Sequence, residues 1–408
     1  MSDLWRPVPR LPEAQALYDA AEADRRENPQ RYTFDPDALI AAAGYDPAAP
    51  EDADWREGFD TYVAAARDEG QLNALGARSM AGTAIGRLKA RASLERRLAA
   101  HPETRDVRIV RPIFIIGGWR TGTTLLQRLM AAVPTLRAAY PAELSAPWRV
   151  AAMTETERQG FLRAGEKAHE YLHLLNPTLQ SVHPSGGLLA EECVLAMGTD
   201  FRNWGFTSTL RCPSYADWLF TQDMRGSYRR YADILRMLQG QAPTRWVLKA
   251  PAHTGELAAL LAAFPDADIV HLHRDVVDTV TSGASLFAVF RSTYSDRVDP
   301  AEVGAYQMET TARWFERAMA VRAAPPAGAR FLDLPFRELV ADPVAAVRRI
   351  GQAFDVDWDD DVQSALAARR AELDQQHGAH RYTPQQFGLD PDQVRERFAA
   401  YSAWAGLD

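Results

Sequence analysis

The residues able to do chemistry fall in a few short stretches. The first is Gly117-Gly118-Trp119-Arg120-Thr121-Gly122-Thr123-Thr124, which sets glycines, one cation and several hydroxyls side by side. Glycines let a backbone turn sharply and approach a ligand closely, and a helix starting after Gly122 aims free N–H groups at an anion. Further along stand Lys249 with His253, then Arg274 with Ser282, and in the tail Gly378 with His380 and Arg381. Arg grips a phosphate through two N–H groups, Ser adds a further donor, and Lys offers a compact charge to an oxygen that becomes anionic during a reaction. The carboxylates that stand out are Glu143, just beyond a short strand, and the adjacent Glu191 and Glu192 beside a helical pattern. Neighbouring helical positions face different ways, so only one of the last two can enter a pocket. His183, in a Pro-Ser-Gly-Gly turn, is a candidate acceptor contact.

Parallel strands have to carry these groups. Pro112 to Ile116 is an apolar, β-branched run that reads as a strand buried on both faces, and Leu125, Leu126, Leu129, Met130 and Val133 continue it at helical spacing. Trp246 to Lys249 and Asp268 to His273 are two more strands, separated by the helical pattern of Leu257, Leu260, Leu261 and Phe264. A helix follows from near Asp275. Strand–helix–strand with charges at the strand ends is a parallel βαβ unit, and such sheets bind ligands at their carboxyl edge where strand order reverses. Gly117, Lys249 and Arg274 therefore share one crevice. Arg137 to Tyr140 is a short additional strand, Ala301 to Arg322 a long helix, and Phe331 to Phe336 a last strand. His271 and His273 share a strand face, but no third ligand is in view and no metal site is assigned.

Two helical regions flank this framework. Residues 1–105 have apolar positions at three- and four-residue steps and read as a helical extension, a cover or a homo-oligomer contact. Residues 151–240 read as a helical insert whose aromatics wall an apolar acceptor pocket. The 408 residues are 47% hydrophobic and 25% charged, the composition of a globular protein with a sizeable core. A net charge of −8 argues against broad nucleic-acid binding. No signal peptide and no apolar run long enough to span a bilayer is evident, and two cysteines without metal spacing read as free thiols of a cytoplasmic protein.

Gly117-x-x-x-x-Gly122-Thr123-Thr124 resembles a nucleotide phosphate loop in which Thr123 replaces the lysine that reaches a γ-phosphate. With Arg120 ahead of the glycine, it is similar to the 5′-phosphosulfate loop of the sulfotransferases, whose usual Pro-Arg/Lys-Ser-Gly-Thr-Thr appears here as Trp119-Arg120-Thr121-Gly122-Thr123-Thr124. His273-Arg274-Asp275 followed by Thr281-Ser282 resembles that family's 3′-phosphate motif. Phe336-Arg337-Glu338-Leu339 before Asp342-Pro343 stands where the family usually has Tyr-Glu-Asp-Leu, and His377 to Leu389 resembles a tail signature of its bacterial members.

The resemblance covers residues 110 to 390. It implies a P-loop-like, three-layer α/β fold with a parallel sheet flanked by helices, comprising a domain over 106–408. It also implies transfer of a sulfuryl group from 3′-phosphoadenosine 5′-phosphosulfate (PAPS) to a hydroxyl or amine of a small, apolar acceptor, releasing PAP without a metal. Gly118, Trp119, Arg120, Thr121, Gly122, Thr123, Thr124, Arg274, Ser282, Phe336, His380 and Arg381 are then expected to hold PAPS. Lys249 is expected to act on the leaving oxygen, with Glu143 as first choice for the base and His253 as second. A P-loop nucleotide kinase and a non-catalytic nucleotide-binding protein are the alternatives.

Overall fold

The computed structural model describes residues 4–46, 54–242, 244–374 and 382–407. Its centre is a five-stranded sheet of β1 (Ile113–Gly117), β2 (Leu136–Arg137), β3 (Arg245–Lys249), β4 (Asp268–His273) and β5 (Arg330–Pro335). The strands are all parallel, in the order β2-β3-β1-β4-β5. β1 is buried throughout, as its uninterrupted apolar run requires. Its side chains alternate between two layers: Ile113 and Ile115 pack with Leu126, Leu129, Val270 and Ile350 on one face, and Phe114 and Ile116 join the larger core on the other. Helices Thr123–Met130, Pro343–Phe354 and Asp360–Asp374 cover the first face. The expected strands and helices are present, with the second strand shorter than expected at two residues.

The larger core joins regions that are far apart in sequence. Four N-terminal helices (Pro12–Glu27, Pro36–Ala43, Asp54–Asp68 and Ala74–Ala100) pack with the helices between residues 155 and 239. Aromatic contacts tie them together: Phe59 meets Phe201 edge-on at 5.1 Å between centroids, and Tyr62 lies 4.9 Å from Phe206. The N-terminal region therefore shares a core with the insert rather than lying over a finished domain. Cys193 and Cys212 are both buried and unbridged.

At the amino edge of the sheet, the carboxylate of Asp268 is fully buried and receives Arg111 at 2.8 Å, Arg245 at 2.6 Å and Arg330 at 2.7 and 2.9 Å. One anion thus fastens the lead-ins of β1, β3 and β5 to β4. Removing one member of a buried pair leaves the others uncompensated, at a typical cost of about 3–5 kcal/mol. Asp268→Asn should lower unfolding stability by at least about 3 kcal/mol in urea titration; a change under about 1 kcal/mol would show that solvent already screens the cluster.

Candidate active site

β1 has β3 on one side and β4 on the other, so strand order reverses around its carboxyl end and opens a crevice there. Gly117 at that end has φ +144°, and a Cβ would lie 2.6 Å from the Leu272 carbonyl oxygen. Gly122 caps the following helix at φ +90°, where a Cβ would come within 2.7 Å of Leu339 and 3.2 Å of the Phe336 ring. Both positions need glycine, and between them the loop wraps tightly. Thr254 locks the base of the loop, accepting from Gly117 N at 2.9 Å and donating to Gly117 O at 3.1 Å. Thr121 turns inward, donating to Gly118 O at 2.9 Å.

A cavity of about 320 Å³ opens over this loop, lined by Trp119, Arg120, Gly122, Thr123, Thr124, Arg128, Arg274, Phe336 and Arg370, with Glu192 the one carboxylate among its lining residues. Its cationic walls suit a polyanion. Arg274 Nη1 donates to the Arg120 carbonyl at 2.8 Å, its guanidinium lies 4.5 Å from the Phe336 ring centroid, and Nη2 pairs with Asp278 at 2.9 Å. Its Nε is buried and has no partner. Arg120 Nη1 donates to Val182 O and Arg128 Nη2 to Pro184 O, each at 2.6 Å, tying loop and helix to the insert. Burial lowers the pKa of both guanidiniums. Arg128 escaped the sequence reading, although it stands one helical turn after Thr124 on the same face.

A second cavity of about 260 Å³ lies beyond the first. Tyr62, Met80, Thr83 and Arg87 from the N-terminal helices line it, with Leu195, Trp204, Phe206, Leu286 and Phe290 from the rest of the chain. Trp119, His183, Glu192 and Leu286 line both cavities. At this boundary Lys249, buried at the end of β3 and itself lining neither cavity, donates through Nζ to Glu192 Oε1 at 2.7 Å and to Thr124 Oγ1 at 3.1 Å. The neighbouring Glu191 faces His183 at 3.5 Å and Arg128 at 3.9 Å. Burial raises its pKa, but His183, Lys249 and Arg128 together outweigh that and hold it at about 2.

Several expected site residues lie elsewhere. Glu143 is fully buried at the start of helix Pro141–Ser145, where it receives Tyr140 N at 3.0 Å, Arg137 at 3.1 Å and Arg158 at 2.8 Å. It lines neither cavity, and two guanidiniums and an amide occupy its oxygens, so the geometry favours a cap over a base. His253 is buried against Phe114 and bonded through Nδ1 to the Tyr228 hydroxyl at 2.6 Å; burial, reinforced by Lys249, lowers its pKa to about 3. It too lies outside both cavities. Ser282 is 2% exposed and lines neither, whereas Leu286, one turn on, lines both. His380 and Arg381 fall outside the described residues.

Asp333 of β5 supplies the third group missing from the sequence reading of His271 and His273, all three within 4.8 Å. Arg322 already grips both oxygens of that carboxylate, at 2.9 and 2.8 Å, and opposes a cation there. Among the described residues, no helix is long and apolar enough to cross a membrane.

Comparison with known proteins agrees with this geometry. In fold the chain is similar to sulfotransferase STF1 from Mycobacterium tuberculosis H37Rv (TM-score 0.76, 32% identity, covering 89% of this chain and 98% of that one). It is also similar in fold to STF9 from Mycobacterium avium (TM-score 0.77, 24% identity, covering 90% and 95%). In sequence it is 25% identical over 254 residues to the omega-hydroxy-beta-dihydromenaquinone-9 sulfotransferase Stf3 of Mycobacterium bovis. That match spans 59% of this chain and 62% of the relative's length. The family model for sulfotransferases matches residues 112–360, from the strand that leads into the glycine loop to beyond the last strand, and the chain belongs to the sulfotransferase family.

Proposed function

We propose that the chain transfers a sulfuryl group from PAPS, bound over the glycine loop, to a hydroxyl of a small apolar molecule in the second cavity, releasing PAP. The observation that carries this reading is the meeting of an arginine-lined cavity and an apolar one at a lysine–glutamate pair. The cavity over the loop fits a nucleotide with two anionic ends. Loop amides, Arg120, Arg128, Thr123 and Thr124 would hold the 5′ end, and Arg274, with its unpartnered Nε, the 3′-phosphate. Phe336 offers an aromatic face but lacks the hydroxyl of the usual tyrosine. The loop position taken by a lysine in kinases is Thr123, and the cation arrives instead from β3.

PAPS supplies an activated S–O bond. The acceptor oxygen forms a new bond to sulfur while the bond between sulfur and the bridging oxygen breaks, leaving a sulfate ester and PAP. Lys249 would stabilise the negative charge that develops on the bridging oxygen. Glu192, freed as the ammonium turns to that oxygen, would take the hydroxyl proton. In this assignment Glu192 replaces Glu143 and His253 as the base, and Ser282 is left out of the donor site.

Glu192→Gln should reduce kcat by about 10²–10⁴-fold with PAP affinity nearly unchanged, whereas Glu143→Gln should lower the melting temperature and spare kcat. The reverse pattern in steady-state assays would return the base to Glu143. Calorimetry of the donor site tests the function itself. PAP should bind at least about 10–100-fold more tightly than 5′-AMP, because charge-assisted bonds to the 3′-phosphate are worth roughly 1.5–3 kcal/mol each. Arg274→Ala should remove most of that preference by weakening PAP; equal affinities in the unsubstituted protein would exclude a PAPS site.

A further inference from the structure

The second cavity is walled mainly by apolar side chains, and Arg87 is the one arginine or lysine among its lining residues. Met80, Thr83 and Arg87 line it from a single face of helix Ala74–Ala100. Arg87 Nη1 donates to the Leu195 carbonyl at 2.8 Å, and the guanidinium lies 5.8 Å from the Phe206 ring centroid. Among the described residues no carboxylate forms an ion pair with it. The two carboxylates on this cavity are engaged elsewhere, Glu191 by His183 and Arg128, and Glu192 by Lys249. Asp200, which acts on Arg87 only at longer range, receives the Ser227 hydroxyl and the Arg202 amide. Burial pushes the Arg87 guanidinium down to about 10, so it remains charged at neutral pH. An unpaired cation facing an apolar cavity is costly, and an anionic ligand relieves that cost.

We propose that Arg87 is an anion subsite within the acceptor cavity and that the acceptor is an amphipathic hydroxy acid. Its carboxylate pairs with Arg87, its apolar body lies against Met80, Phe206 and Phe290, and its hydroxyl reaches Glu192. A single guanidinium balances a single negative charge, which favours a carboxylate over a phosphate. The carboxylate takes no part in the transfer; it fixes which end of the molecule faces the donor. The proposal rests on the sulfuryl-transfer reading above.

The test is calorimetry of PAP-loaded protein with ω-hydroxydodecanoate and with its methyl ester, followed by their KM values in PAPS-dependent transfer. The acid should bind about 10–100-fold more tightly than the ester and show a correspondingly lower KM. In Arg87→Gln that advantage should vanish, and Arg87→Lys should recover part of it. Equal binding of acid and ester to the unsubstituted protein overturns the proposal without needing any variant. A preference that persists in Arg87→Gln also overturns it. Acid selectivity without a preference for PAP over 5′-AMP would sink the sulfotransferase reading and leave the anion subsite standing.

Discussion

The ion pair between Lys249 and Glu192 governs the design of this molecule. Taking an ammonium and a carboxylate out of water costs several kcal/mol per ion unless the geometry is tight and further hydrogen bonds are made. Here the separation is 2.7 Å, with the Thr124 hydroxyl as a second partner for the ammonium. To keep that arrangement, β3 must end at the crevice, the helix after the glycine loop must present Thr124, and the insert must return to deliver Glu192. The Thr254 lock on Gly117 and the reach of Arg120 and Arg128 to the insert carbonyls hold those pieces in register.

The identity of the cation is informative. Lysine occurs at only three places in the chain, and the other 43 of its 46 basic residues are arginine. The arginines do what planar, fixed forks do well: they clamp Asp268, bridge backbone carbonyls and face the cavity over the glycine loop. At the junction, a compact ammonium on a flexible stem meets a carboxylate and a hydroxyl at once, and it is the group that can turn from one partner to another with least rearrangement.

What could be read from the sequence was local. The glycine corner, the strands ending at Lys249 and His273, and the helix capped by Asp275 each follow from periodicity and turn chemistry within about twenty residues, and the sheet assembled as those signals required. The choice of carboxylate was not local. Tyr140-Pro-Ala-Glu143 carries a cap signature that competes with a catalytic one, and its arginine partners Arg137 and Arg158 come together only through folding. Glu192 lies in an irregular stretch whose course is set by packing of the insert. The burial of His253 was not local either, since its depth is decided by Phe114, Tyr228 and Tyr231, which no spacing rule connects. The wall that the N-terminal helices give the second cavity rests on a core joining rings as distant in sequence as Phe59 and Phe201.

That wall divides the labour of the chain. The family-matching segment, residues 112–360, contains the glycine loop, Lys249, Glu192 and Arg274, whereas Tyr62, Met80, Thr83 and Arg87 lie upstream of it. Substitutions on one face of helix Ala74–Ala100 can therefore reshape the second cavity without touching a residue that lines the cavity over the glycine loop. A chain built this way can alter the shape of one chamber while the loop that borders the other stays fixed.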